Sequence, residues 1–214
     1  ALEKGGKIVL QESLEATSLD VKADAVLDLN GKTITGADNL TTGSYGLLNV
    51  KAGVSLTIDG PGTLTTKAAT DRNWDSYSSV ISNQTGTLIV NEGVVIEHLG
   101  GTDMAYGIDN LTNGKGTSAV TVIESGATVK STYSAVRQFL NGVEATNELY
   151  VKSGAVLESP NRAVFFQDPS KSPNTGKLVV EAGAKVTGKV HLSVTAGSTE
   201  WPVEVSVASS ALQN

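Results

Sequence analysis

Six times along the chain, an apolar pair at alternate positions is followed by a glycine and then by another apolar residue. The phrases are Leu27/Leu29–Gly31–Ile34, Leu56/Ile58–Gly60, Leu88/Val90–Gly93–Ile96, Val120/Val122–Gly126–Val129, Leu149/Val151–Gly154–Leu157 and Leu178/Val180–Gly183–Val186. Alternation with a period of two predicts short strands with one side turned to a core, and the glycine predicts a bend. In the second phrase Gly60 and Gly62 share the bend, and Leu64 takes the place of the last apolar residue. The leading residues lie 29, 32, 32, 29 and 29 positions apart. A second apolar series, Leu47, Val80, Ile108, Val136 and Val164, falls between the phrases. Each repeat therefore supplies two or three strands, and no helical periodicity interposes. Strands that recur at a near-fixed period predict an all-β fold, a single-stranded parallel β-helix (solenoid) of about 29–32 residues per coil, with coils ~4.8 Å apart. A leucine-rich repeat would show a shorter period, and an antiparallel sandwich would not require equal spacing.

An amide follows the second apolar series in each repeat: Asn49, Asn83, Asn110, Gln138 and Gln167. Amides at one corner of successive coils are expected to hydrogen-bond along the stack, although turn preference alone also places asparagines there. The connections differ between repeats. They are long at one corner in the first half of the chain (Ile34 to Leu47, Leu64 to Val80, Ile96 to Ile108) and at another corner in the second half. Recognition is expected on such excursions. The repeat predicts one domain over 1–214, with an N-terminal partial coil or cap at 1–26, repeated coils at 27–190 and a C-terminal coil or cap at 191–214. Trp201 is the expected plug and Pro202 is expected to blunt further pairing.

Composition narrows the function. A net charge of −6 and a pI near 4.9 argue against nucleic acid, which calls for a basic face, and against anionic membrane surfaces. No apolar run approaches the ~20 residues needed to span a bilayer. Zero cysteines exclude disulfides and thiolate metal sites. Ala1 in place of an initiator Met is in keeping with a piece of a longer polypeptide.

The stretches "GGKIVLQ…VKADAVLDLNGKTITG", "VSLTIDGPGTLTT", "LYVKSGAVLES" and "LVVEAGAKVTG" resemble a family of right-handed parallel β-helix proteins with the pectate-lyase-like fold. Its members are surface proteins of gut bacteria and head-fibre or decoration proteins of their phages. The resemblance covers nearly the whole chain. Right-handedness follows from it and from the handedness of parallel crossovers. It implies surface display, adhesion or a place in a virion, with a trimer as the usual fibre arrangement. It supplies no active-site residues, and the three long early corners depart from its pattern.

Candidate chemistry collects at those corners. Asp71, Asn73 and Asp75 alternate as in a calcium loop, but Ser76 and Ser82 stand where an EF-hand has its glycine and its bidentate glutamate, so a solvated loop is the plainer reading. Trp74, Tyr77, His98, Asp103, Tyr106, Tyr133 and Arg162 come from successive coils at one corner. Aromatic faces beside charged groups suit a carbohydrate platform, against the plainer reading that the tyrosines cover the coil edge. A glycosidase pair among Asp71, Asp75, Asp103 and Asp109, or a lyase using Arg72, Arg137 or Arg162 as base, has no diagnostic spacing. His98 and His191 are too far apart in sequence to predict a shared metal.

On the outer side of the first strand, the row Asp28, Thr57, Ile89, Thr121, Tyr150 and Val179 is apolar enough to predict a loop cover or a subunit seam. The expectation is a non-enzymatic, surface-exposed module of a virion fibre or capsid decoration protein. It would be homo-oligomeric, with a host-surface glycan or a capsid or wall anchor as partner and no cofactor beyond calcium. A bacterial cell-surface adhesin and a polysaccharide-degrading enzyme are the alternatives.

Overall fold

A computed structural model describes residues 1–37, 46–68, 77–101, 103–170, 173–194 and 203–207. Every strand pairing is parallel, and among the described residues there is no helix. The chain is an all-β parallel solenoid whose laps run over three faces. The first face stacks β1 (Gly6–Val9), β4 (Ala25–Asp28), β7 (Ser55–Asp59), β10 (Thr87–Val90), β13 (Ser118–Ile123), β16 (Thr146–Val151), β18 (Thr175–Val180) and β20 (Val203–Val207). The second stacks β2 (Leu14–Ala16), β5 (Thr33–Gly36), β8 (Gly62–Thr66), β11 (Val94–His98) and β14 (Thr128–Ser131). The third stacks β3 (Leu19–Val21), β6 (Gly46–Val50), β9 (Ser78–Gln84), β12 (Ala105–Thr112) and β15 (Ser134–Leu140). In the next two laps, β17 (Val156–Asp168) and β19 (Lys185–Val194) each run through both of these faces as one strand. The opening segment 1–26 carries β1, β2 and β3, one strand for each face.

The last apolar residue of each phrase stacks as the sequence predicts. Ile34, Leu64, Ile96, Val129, Leu157 and Val186 form one inward column on the second face. The bend glycines line up beside it. Gly93, Gly126 and Gly154 each have φ near +80°, a region that a side chain would strain. Each donates its N–H to the carbonyl of the glycine one lap on, at 3.0–3.2 Å.

The first face requires two corrections, for Ala25 and not Leu27 lies opposite Leu56. Its inner column is Ala25, Leu56, Leu88, Thr121, Leu149 and Leu178, so Thr121 holds the place expected for Val120. Ala119, Thr121 and Ile123 point inward and are buried, while Val120 and Val122 point outward. The outer row is correspondingly Val26, Thr57, Ile89, Val122, Tyr150 and Val179, with Val26 and Val122 in place of Asp28 and Thr121. On the third face, Leu48 and Ile81, not Leu47 and Val80, lie opposite Ile108, Val136 and Val164.

The amide ladder is shorter than expected. The inner column runs Val21, Val50, Asn83, Asn110, Gln138, Phe166 and Leu192. Asn83 donates to Asn110 at 3.2 Å, and Asn110 donates to Gln138 at 3.1 Å. From the first face, the Thr121 hydroxyl donates to Asn110 Oδ1 at 2.6 Å. Thr121 thus faces inward because its hydroxyl completes this buried network. Asn49 and Gln167 stand one residue out of register; Asn49 bonds Ser18 and the Gly46 carbonyl instead.

Candidate functional site

The outer side of the third face carries the densest group of charged and aromatic side chains among the described residues. Its outward column is Asp20, Asn49, Ser82, Asp109, Arg137, Phe165 and His191, one residue per lap. Asp109 is 0% and Arg137 2% exposed. The Arg137 fork grips the Asp109 carboxylate at both oxygens, Nε to Oδ1 at 2.8 Å and Nη2 to Oδ2 at 2.5 Å. Its third nitrogen donates to the Tyr106 hydroxyl at 3.4 Å. Burial opposes the Arg137 charge, but the Asp109 carboxylate and the Tyr106 oxygen outweigh it, so the guanidinium is held protonated above its ordinary range. Burial pushes the Tyr106 phenol up to about 12.

Aromatic rings step along the stack beside this pair. Tyr77, Tyr106, Tyr133, Phe165 and His191 follow one another at centroid separations of 6.4, 5.8, 6.5 and 5.4 Å, the first three contacts edge to face. Both arginines lie over rings. Arg137 Cζ is 4.2 Å from the Tyr106 centroid and 4.8 Å from that of Tyr77. Arg162 Cζ is 4.5 Å from Tyr133 and 4.4 Å from Phe165, and its Nη1 donates to the Tyr133 hydroxyl. Cations over ring faces are attracted by the ring quadrupole, more so where water is excluded.

Of the residues expected to form a sugar platform, the structure brings together Tyr77, Tyr106, Tyr133 and Arg162. Tyr106 and Tyr133 are buried, and the arginines occupy their ring faces. Asp103 is half-buried beside them in sequence. Trp74, Asp71, Asn73 and Asp75 lie outside the described residues, as do Arg72, Trp201 and Pro202. Among the described residues no group of three or more His, Asp or Glu side chains is arranged to hold a metal.

His98 belongs to a different construction. It is 0% exposed, and its Nδ1 accepts from the Gly100 N–H at 3.3 Å while its Nε2 meets Ser78 Oγ at 3.0 Å. The same hydrogen bond to the amide two residues on is made by Thr66 to Ala68, Ser131 to Tyr133 and Ser159 to Asn161. His98 is thus one rung of a column of corner caps, in a slot that other laps fill with hydroxyls. Burial lowers its pKa to about 4, so the ring is neutral at physiological pH.

Sequence reasoning missed the pairing of Asp109 with Arg137 and the ring of Phe165. The signal was present: Asp109, Arg137 and Phe165 are spaced 28 and 28 apart, the interval of the apolar series beside them. Comparison of the chain with protein-family models, curated proteins and solved structures finds no match.

Proposed function

We propose that this chain is a non-enzymatic structural module displayed on a surface, a rod whose laps carry recognition loops at their corners. The observation that supports this reading is the self-sufficiency of the corner chemistry. Asp109 and Arg137 neutralise each other out of contact with solvent, and Arg162 covers the rings of Tyr133 and Phe165. A buried carboxylate with both oxygens engaged by one guanidinium has neither oxygen left to offer a substrate. Two further faces of repeated parallel backbone pairing give the rod mechanical continuity.

The resemblance of the repeated phrases to those of virion fibre and capsid decoration proteins is what points to the surface of a phage particle as the setting, with a bacterial cell envelope as the second reading. Immunogold labelling with an antibody to this chain tests the reading in the organism that encodes it. Label on virions is the expected result, label on whole cells converts the assignment to an adhesin, and label confined to the cell interior overturns both. Release of reducing ends or unsaturated products from a polysaccharide panel would overturn the non-enzymatic assignment.

A further inference from the structure

Positive charge collects on the flank of the rod where β17 and β19 turn from the second face to the third. The pairing of these strands sets Arg162 opposite Lys189 and Phe165 opposite His191. Register shifts on both sides of Arg162 interrupt the ladder there, and such irregularities re-aim a side chain. Arg162 is half-buried and clamped. Its Cζ lies 4.5 Å from the Tyr133 centroid and 4.4 Å from that of Phe165, and its Nη1 donates to the Tyr133 hydroxyl. Lys189 is exposed, and the half-buried His191 ring stands 5.4 Å from that of Phe165.

No acid offsets these groups. Among the described residues neither Arg162 nor Lys189 has a carboxylate partner, and the Arg162 Nε and Nη2 donate to no acceptor. The acids of β17 are engaged elsewhere. Glu158 stands opposite Thr187 on the second face, and Asp168 is buried and bonded to Ser170 and Asn174. The column that leads to Arg162, through Ser79, Tyr106 and Ser134, is neutral, and Asp109 cancels Arg137 in the next column. His191 registers the imbalance, since burial, then Arg162 and Lys189, hold its ring below the ordinary histidine range. In a chain of net charge −6, this is positive charge left unanswered.

An arginine whose side chain is already fixed loses little entropy on taking a ligand, and its open edge presents parallel N–H groups. One such edge saturates a carboxylate. Donors from Arg162, Lys189 and His191 together suit an anion with more oxygens and more charge. We propose that Arg162, Lys189 and His191 form a binding site for a tetrahedral oxyanion, the sulfate or phosphate ester of a surface polysaccharide. The site is open at Lys189, so the ester can stay attached to its polymer. This assignment goes beyond display of the rod and holds on a virion or a cell envelope alike. A bound oxyanion favours the imidazolium form, so it raises the His191 pKa, and binding tightens as the ring takes its proton.

Proton NMR of the two histidine rings tests this, with buried, neutral His98 as the internal reference. Sodium sulfate, with ionic strength held constant by sodium chloride, is expected to shift the His191 signals saturably, to raise its pKa and to leave His98 unmoved. Lys189→Gln is expected to weaken binding ~5-fold, the upper worth of one exposed ion pair, and Arg162→Gln to abolish the shift. Because Arg162→Gln also loosens the Tyr133 and Phe165 rings, the exposed Lys189→Gln carries the test independently, with Lys130→Gln on the second face expected to change nothing. Dextran sulfate, against uncharged dextran, distinguishes the sources of the oxyanion. Retention of the polymer by the wild type, weakened in Lys189→Gln, supports the polysaccharide ester. A response to free sulfate without retention of dextran sulfate overturns that part and assigns the site to free oxyanions. Equal retention of polygalacturonate overturns the preference for a tetrahedral group. A shift that sodium chloride alone reproduces, or one unchanged in both Lys189→Gln and Arg162→Gln, overturns the site.

Discussion

Arg137 is a full charge lodged where water does not reach, and it persists there because Asp109 answers it with two hydrogen bonds and the rings of Tyr77, Tyr106 and Phe139 flank the guanidinium. Removing one partner of such a pair leaves an uncompensated buried charge, whereas replacing both with apolar groups removes the desolvation cost along with the attraction. Arg137→Met is therefore expected to lower the unfolding free energy by about 3–5 kcal/mol, and Asp109→Leu/Arg137→Met by much less, as read from urea unfolding. His98 provides a pH dependence. Its pKa in the folded state, about 4, lies below the ordinary 6.5, so the unfolded chain takes up the proton first as pH falls. The stability it contributes is whole above 6.5 and lost between 6.5 and 4, up to about 3 kcal/mol. Unfolding measured across that window is expected to slope in the wild type and to lose this part of the slope in His98→Asn. The sequence disclosed the Tyr77, Tyr106, Tyr133 and Arg162 grouping, since all four fall near one corner in successive repeats. It concealed that the group is packed against itself. An outward strand position reads as solvent-facing by alternation, and only the covered third face, where β12 and β15 are buried almost throughout, reverses that reading.

At the level of the strand, the architecture was legible because period two, the bend glycine and the repeat length all depend on local backbone geometry. In the laps from β10 to β18, register was legible by counting back from the glycine. Leu88, Leu149 and Leu178 each stand five residues before their glycine, and so does Thr121, whereas Val120 stands six before it. Hydrophobicity favoured the valine, but the buried amide of Asn110 required a hydroxyl at that point in the core. Asn110→Ala is expected to cost about 3 kcal/mol, since it removes the acceptor of the Thr121 hydroxyl and the donor to the Gln138 carbonyl, each worth ~1–3 kcal/mol when buried without a partner, while the Asn83 amide keeps the Val120 carbonyl at 3.0 Å. Thermal melting of the variant provides the check. Gly107 shows how closely laps approach. Its φ is not in the left-handed region, yet a Cβ there would sit 2.7 Å from the Ala135 carbonyl of the next lap and 2.8 Å from Val129 Cγ1. Gly31, with φ +75°, would meet nothing within 4 Å. Gly107→Ala is expected to depress the melting temperature more than Gly31→Ala, because backbone of the neighbouring lap cannot yield, whereas the strain at Gly31 is confined to its own turn and costs only about 1–2 kcal/mol.

For the molecule as a whole, a stack in which each lap touches only its neighbours behaves as a one-dimensional array, with stability summed from laps and the contacts between them. An interior lap has two such contacts and an end lap has one, so opening should begin at the ends and move inward. The two ends are not equal. The first lap, β1 to β3, consists of strands of three or four residues, with Ile8, Leu14 and Leu19 only partly buried. The middle laps have strands of four to eight residues, fully buried aliphatic columns and the Asn83–Asn110–Gln138 ladder, which has no counterpart above Val50 or below Phe166. Hydrogen exchange followed by mass spectrometry is therefore expected to show protection rising from β1–β3 to a maximum at β10–β15 and declining again through β19. Uniform protection along the chain would mean that laps open all together, and the rod would then be one cooperative block. A graded profile fits a structural role better. The stiff centre holds the corner loops in place, while the softer laps to either side absorb deformation.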